Sequence, residues 1–474
     1  MQNLNAQPLN FVQNMRGDVS RLKEYIKLET LIPQEFRKAY YKDEGRPRGN
    51  KLESFIWFFL LKNMSGIVDD TAFIWVLRNS RELFEFCELK KAPEPSDITT
   101  FRERFVGCIE LMFYNLVDIT EPMCKEINEK KSGYTIYDTS GILANVKENN
   151  PKFLNTKLDQ AKKYAQKNPG YDPYKGVYSL LPETAGANPN VKQQHINGHF
   201  CYAQKFGIIT NGLGIVRHIS FFDERFKAKH PEIVCAKTDD PDLDKEIADS
   251  KSLKPVLSDF YEIHPHFKYY HTFLGDASFD VYDIYTMLRN DFHFQRMCIP
   301  ANPRNSASAY KFFDENGTPI CPLDNKPFIF LSICRGKNRS ERFKYVCHKS
   351  QPIKKFRNGK PYYTRFCTCD TPCTDKPYGK CTYTYPHKNL RLYPGLPRGD
   401  IHWKNLYRHR TLVERTINII KDDFGAGRHK SFSVFSAKAE LFFAAITQLV
   451  GVILAVALKK PEFFKSVRKL IYVA

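Results

Sequence analysis

From Leu441 to Leu458 the chain reads LFFAAITQLVGVILAVAL, an uncharged run bounded by Glu440 and Lys459. Such a run has to leave water, either inside a protein core or across a bilayer. Its length is marginal for a bilayer, which asks for about 20 apolar residues. Thr447, Gln448 and Gly451 interrupt it, and nothing like it occurs elsewhere in the sequence. The run therefore reads as a buried core helix, with a single membrane helix as the alternative.

At 474 residues the chain is long enough for two or three domains. Residues 1–130 read as helical. DVSRLKEYIKLETLI offers an Asp18 cap, NKLESFIWFFLLKNM (50–64) is strongly apolar, and DDTAFIWVLRNSRELFEF (69–86) is capped by Asp69 or Asp70. SDITTFRERFVGCIELMFYNLVDIT starts from Asp97, after the Pro93–Pro95 break.

The pattern then switches. GYTIYDTSGI (133–142) alternates like a strand, and residues 147–196 are rich in Lys, Asn, Pro and Gly, which predicts a long irregular excursion. Residues 198–223 read as a hairpin turning at Asn211-Gly212. A helix (252–264), a strand (269–280), a helix and a further strand follow. That order suits a mixed α/β sheet resembling ribonuclease H. Residues 305–400 break the rhythm as a Cys-rich β insertion. The domains expected are thus 1–130, helical; 131–304, the first part of an α/β domain; 305–400, the insertion; and 401–474, the second part of the α/β domain.

The N-terminal stretch lacks the apolar core of a signal peptide, and thirteen irregularly spaced Cys do not resemble a secreted disulfide framework. A reducing, cytoplasmic setting is expected. The net charge of +20 points to a polyanionic partner, most simply nucleic acid; a generally basic protein is the plain alternative. GRPRGNK (45–51), with Arg46 and Arg48, fits a phosphate contact or an ordinary charged loop. GRHKSFS (427–433), with Arg428 and Lys430, reads the same two ways.

YRHRTLVERTINIIK (407–421) contains no Gly or Pro, and its apolar residues recur at helical spacing. At about 100° per residue, Tyr407, Arg410, Glu414 and Lys421 share a stripe roughly 60° wide. A solvated face would explain the stripe through an Arg410–Glu414 pair worth a few tenths of a kcal/mol. A metal ligand flanked by phosphate-binding groups would explain it too, but needs more acids. Asp138 in TIYDTS and Asp276 in TFLGDASF close predicted strands, where ligand-bearing side chains of α/β sheets gather. An Asp closing a strand is more often a turn or cap residue. Three convergent carboxylates repel unless cations lie between them, an arrangement suited to two Mg²⁺ ions. Asp280 and Asp283 read as helix N-terminal residues.

The spacing Tyr-x2-Arg-x3-Glu-x6-Lys, with YDTSG, GDASFD and IPANPRN (299–305), resembles the DDE transposases of bacterial insertion sequences that carry this signature. GRPRGNKLESFIWFFLLKNMSGIVDDTAFIWVLRNS and SDITTFRERF resemble their helical N-terminal domain. The resemblance implies a ribonuclease-H-like core with Asp138, Asp276 and Glu414 as catalytic residues and ligands of two Mg²⁺ or Mn²⁺ ions. It assigns Tyr407, Arg410 and Lys421 to DNA. It further implies terminal inverted repeats and target DNA as substrates, a synaptic homodimer, no membrane, and a nucleoid-associated cytoplasmic protein. A domesticated, non-catalytic DNA-binding descendant and a host nuclease with the same metal site are the competing readings. In the insertion, Cys369-x3-Cys373 is an acceptable half of a zinc site, completed by Cys321 and Cys347; reduced structural Cys is the plain alternative.

Overall fold

The computed structural model describes residues 19–41, 48–196, 199–235, 247–302, 312–336, 339–428 and 430–473. In chain order the principal elements begin with α1 (Leu52–Ser65), α2 (Asp70–Asn79), α3 (Pro95–Ser132), β1 (Tyr134–Leu143), α4 (Pro151–Lys167), β2 (Thr184–Ala185), β3 (Asn188–Ile196), β4 (His199–Thr210) and β5 (Val216–Phe221). Then come α5 (Asp249–Ile263), β6 (Thr272–Leu274), α6 (Tyr282–Asn290), β7 (Arg296–Cys298), β8 (Ile329–Gly336), β9 (Arg339–Val346), β10 (Ser350–Arg357), β11 (Lys360–Cys367) and β12 (Cys381–Thr384). The last are α7 (Ile401–Tyr407), α8 (Thr411–Asn418) and α9 (Val434–Ala457). The protein is mixed α/β, and its strands pair both parallel and antiparallel.

Two compact units emerge. The first comprises Met1–Ser132, Asp138–Pro265 and Leu412–Ala474, and the second Gly133–Tyr137 and His266–Thr411. The first unit is organised around α9, which contains the uncharged run. Of its apolar window 94% is buried inside the protein, so the run is a core helix whose covering is protein. It packs chiefly on α3 and α1. Phe443 stacks on Phe59 of α1 at 4.1 Å, and Phe55 of α1 on Phe101 of α3 at 4.6 Å. The polar residues of the run have matching partners. Asn63 donates to Thr447 Oγ1 at 3.1 Å. Gln448 accepts from Val216 N at 2.9 Å and donates to Gly214 O at 3.1 Å. Glu440 meets Lys62 at 2.9 Å and also pairs with Arg102, while Asp70 takes Lys62 at 2.7 Å and Arg102 at 2.6 Å. The strands of this unit run β2-β3-β4-β1, with β5 paired to β4.

In the second unit the opening residues of β1 pair in parallel with β6, and β6 with β7. The insertion builds a three-stranded sheet β12-β9-β8 and a separate ribbon β10-β11. A small core of Phe328, Phe343, Tyr345 and Tyr393 holds it together, with Phe343 stacked on Tyr393 at 3.9 Å.

Three local expectations differ. Within 147–196, expected to be irregular, Asn150 caps α4 by accepting from Lys152 N at 2.9 Å, with Pro151 preorganising the first turn. Polar composition hid this helix, because it buries little beyond Ala161. The helix expected over 69–86 breaks at Ser80, whose backbone is extended, giving α2 and a second helix, Arg81–Phe86. The hairpin turn is longer than Asn211-Gly212. Asn211 Oδ1 accepts from Leu213 N and Ile215 N, and Gly214 takes the left-handed φ of +77°. The Asp18 cap lies outside the described residues.

Candidate active site

Asp138 is the fifth residue of β1, which runs on to Leu143. The expectation that it closes the strand is therefore corrected: the alternating segment persists because Ser140–Ile142 are buried again. Asp138 and Thr139 are the half-exposed positions of an otherwise buried stretch. Thr139 N donates to Asp138 Oδ1 at 2.9 Å. Thr139 Oγ1 donates to Asp249 Oδ1 at 2.6 Å, and Lys205 donates to the same oxygen at 2.6 Å. The strand is thus pinned just beside Asp138 to the start of α5. The sequence gives little signal for this Lys205–Asp249–Thr139 contact, whose members are far apart along the chain.

The segment carrying the quartet is helical, but its pitch changes. Helix α7 passes into a 3₁₀ turn at Arg408–Arg410, then α8, then a π-helical turn at Ile419–Asp423. The first unit holds the part from Leu412 onward. There Thr416 Oγ1 donates to Gly214 O at 2.7 Å, which seats α8 on the β4–β5 turn. A Cβ at Gly214 would stand 3.4 Å from both Leu412 Cβ and Thr416 Oγ1, so glycine serves both its backbone angle and this close approach. Two turns along from Glu414, Lys421 donates to Ser140 Oγ of β1 at 3.3 Å. Ser140 shares a strand face with Asp138, two residues before it. Burial pushes the Lys421 ammonium below its ordinary value, against the opposing pull of Asp422. Glu414 is exposed.

In the second unit Tyr407 is half-buried and stacks on Trp403 at 4.8 Å, and Arg410 is buried. A simple solvated face would leave Arg410 and Lys421 in water, and neither is fully exposed. Asp276 follows β6 and caps the turn Ala277–Phe279, accepting from Ser278 N at 2.9 Å and from Ser278 Oγ. The parallel register pairs Ile136 with Leu274; Asp138 lies two residues further along β1, whereas β6 ends at Leu274 and Asp276 stands in the turn beyond it.

Asp280 is not the helix N-terminal residue expected of it. It is fully buried and takes Arg391 at 2.6 Å, Arg398 at 3.4 Å, Tyr285 Oη at 2.9 Å and Asn302 N at 2.6 Å. Burial works against its charge, yet hydrogen bonds from Arg391 and Asn302 hold its carboxyl below the usual range. This hub ties the loop bearing Asp276 to Asn302 and to the 391–398 segment. Asp283 does lie in the first turn of α6.

Among the other basic residues, Lys430 pairs with the cap residue Asp69 at 2.7 Å, and Arg428 is exposed. Arg48 donates to Tyr40 O at 3.2 Å and lies over the Tyr40 ring. Arg46 is outside the described residues. In the insertion the thiols of Cys347, Cys367 and Cys369 converge, while Cys373 packs against the small core that contains Cys321.

Residues 9–104 match the family model of a transposase domain (DUF772). The described part of that match contains α1, α2 and the first turns of α3. Transposase-like sequence therefore supplies the helices that pack on α9. Curated proteins give no match to the chain.

Proposed function

We propose that the protein is a DNA transposase of the DDE type. On this reading residues 131–304 and 401–474 form a ribonuclease-H-like catalytic domain, 305–400 is inserted into it, and 1–130 serves DNA binding and dimerisation. The observation that carries the proposal is the Lys421–Ser140 contact, which seats the signature helix against β1 two residues from Asp138. The match of residues 9–104 to a transposase domain supports it from a separate part of the chain.

The donor set fits divalent ions: Asp138, Asp276 and Glu414 are hard oxygen donors and none is fully buried. Two Mg²⁺ or Mn²⁺ ions, when bound, supply Lewis acidity and charge neutralisation to an in-line phosphoryl displacement. The chain's own part is positioning. Thr139 N–H and Ser278 orient the two Asp carboxylates. Lys421, partly stripped of water, offers a cation to a phosphate. Tyr407 hydrogen-bonds a phosphate or stacks on an unpaired base, and Arg410, Arg48, Arg46, Arg428 and Lys430 are the further basic residues this reading assigns to DNA. The first stage frees a 3′-hydroxyl at the end of an inverted repeat, and the second joins it to target DNA within a homodimer, in the nucleoid of the cytoplasm.

The test is purified protein with the inverted repeats that flank its coding region, supplied with Mg²⁺ or Mn²⁺. We expect end cleavage and strand transfer. Asp138→Ala, Asp276→Ala and Glu414→Ala should each reduce both below detection while DNA binding persists. Strand transfer surviving in any one of the three would defeat the assignment, and wild-type protein that binds ends without cutting them would favour a domesticated DNA-binding role.

A further inference from the structure

The insertion contains a cluster of thiols that the transposition chemistry does not use. Cys347 follows β9, Cys367 ends β11, and Cys369 lies two residues further on. Their sulfurs come within 4.8 Å of one another, with 3.7 Å between Cys347 and Cys369 and 3.8 Å between Cys347 and Cys367. All thirteen cysteines carry free thiols, and these separations far exceed a disulfide bond. They equal the edge of a tetrahedron around a metal: with Zn–S of about 2.3 Å, ligand sulfurs stand about 3.8 Å apart.

Two backbone N–H groups reach the sulfurs. The N–H of Lys349 points at the Cys347 sulfur and that of Cys369 at the Cys367 sulfur, each two residues along from the sulfur it serves. The covering loop is fastened by Cys347 N donating to Lys380 O at 3.0 Å and Cys367 N to Pro377 O at 2.8 Å. Gly379 closes it with φ +79°, and a Cβ there would lie 3.0 Å from Cys367 Sγ. Cys373, four residues beyond Cys369 in the same loop, packs against the small core that contains Cys321.

The site also answers a structural need. The β10–β11 ribbon pairs only with itself, and an isolated two-stranded ribbon is marginal in water. Cys367 pairs with Ser350 at its base, so a cross-link among these cysteines would clamp both strands.

We propose that Cys347, Cys367, Cys369 and Cys373 bind one structural Zn²⁺ at the foot of this ribbon, with Cys321 packed behind Cys373. Compared with the set suggested by spacing, Cys367 replaces Cys321.

The experiment uses the full chain, purified under reducing conditions without chelator. Elemental analysis should find about one zinc per chain. Replacement by Co²⁺ should give the visible bands of tetrahedral cobalt and the near-ultraviolet thiolate charge-transfer band. Cys367→Ser and Cys369→Ser should remove these bands, whereas Cys334→Ser should leave them intact. Wild-type protein that is folded by circular dichroism, yet takes up neither metal, would overturn the proposal whatever the variants do. Bands that survive the double variant Cys367→Ser/Cys369→Ser would overturn it as well. Loss of the bands in Cys321→Ser but not in Cys373→Ser would overturn the assignment of the fourth ligand.

Discussion

Lys62, Asp70, Arg102 and Glu440 show how single side chains hold the first unit together. Two cations and two carboxylates meet with side-chain exposures of 4% for Lys62, 3% for Arg102 and 8% for Glu440. Removing one partner of a buried set leaves an uncompensated charge, at a cost of about 3–5 kcal/mol. Glu440→Gln should therefore lower the unfolding free energy obtained from urea titration by that amount. Lys430→Ala, which breaks the exposed pair with Asp69, should change stability by less than about 1 kcal/mol. Equal effects would show that the buried set has no special weight. His218 adds a pH dependence. It is buried against the Tyr114 ring, with Ser220 Oγ at 2.9 Å. Burial, then the neighbouring charges of His264 and Lys229, hold it well below the ordinary histidine value. The folded form stays neutral while the unfolded chain takes up a proton near pH 6.5. Stability is thus fully present above about pH 6.5 and falls as the pH drops toward the folded value, by at most about 1.4 kcal/mol per pH unit. Thermal melts between about pH 7 and 5 should show this slope, and His218→Gln should flatten it; an unchanged slope in the variant would exclude His218 as its source.

Among the elements, the β10–β11 ribbon is the most exposed. Lys354, Lys355, Arg357 and Lys360 face solvent alongside Phe356 and Tyr363, which are 66% and 71% exposed. Basic side chains interleaved with exposed aromatic rings suit a nucleic-acid backbone and unpaired bases. On the transposase reading, Lys354→Glu with Lys355→Glu should weaken DNA binding across all sequences and lower the salt slope by about two. A loss confined to one sequence would mean base readout instead. The ribbon was only coarsely legible: Cys and basic composition marked an insertion, but pairing depends on register, which composition does not encode. Helix α9, β1, the β4–β5 hairpin and α5 were readable because periodicity and length agree with their burial. Helix α4 was not, because a helix that buries so little leaves almost no apolar stripe. The same limit applied around the candidate site. The signature spacing marked Glu414 and Lys421, yet nothing local reveals that Ser140 receives Lys421, or that Asp280 anchors two arginines more than a hundred residues away. Such contacts are created by topology.

For the molecule as a whole, the important fact is that α9 supplies the partners of α1 and α3. The transposase-like match ends at residue 104, but the helices it contains close only when residues 434–457 arrive. Until then Phe59 lacks the ring it stacks on, and Lys62 and Arg102 lack one of their two carboxylates. The matched stretch thus does not complete its own core. Joining contacts so distant in sequence slows folding. During synthesis the growing chain carries a sticky, positively charged helical face that must be shielded until residues 434–457 have emerged. Any product truncated ahead of Val434 would keep that face open permanently, making it a natural target for chaperones and proteases.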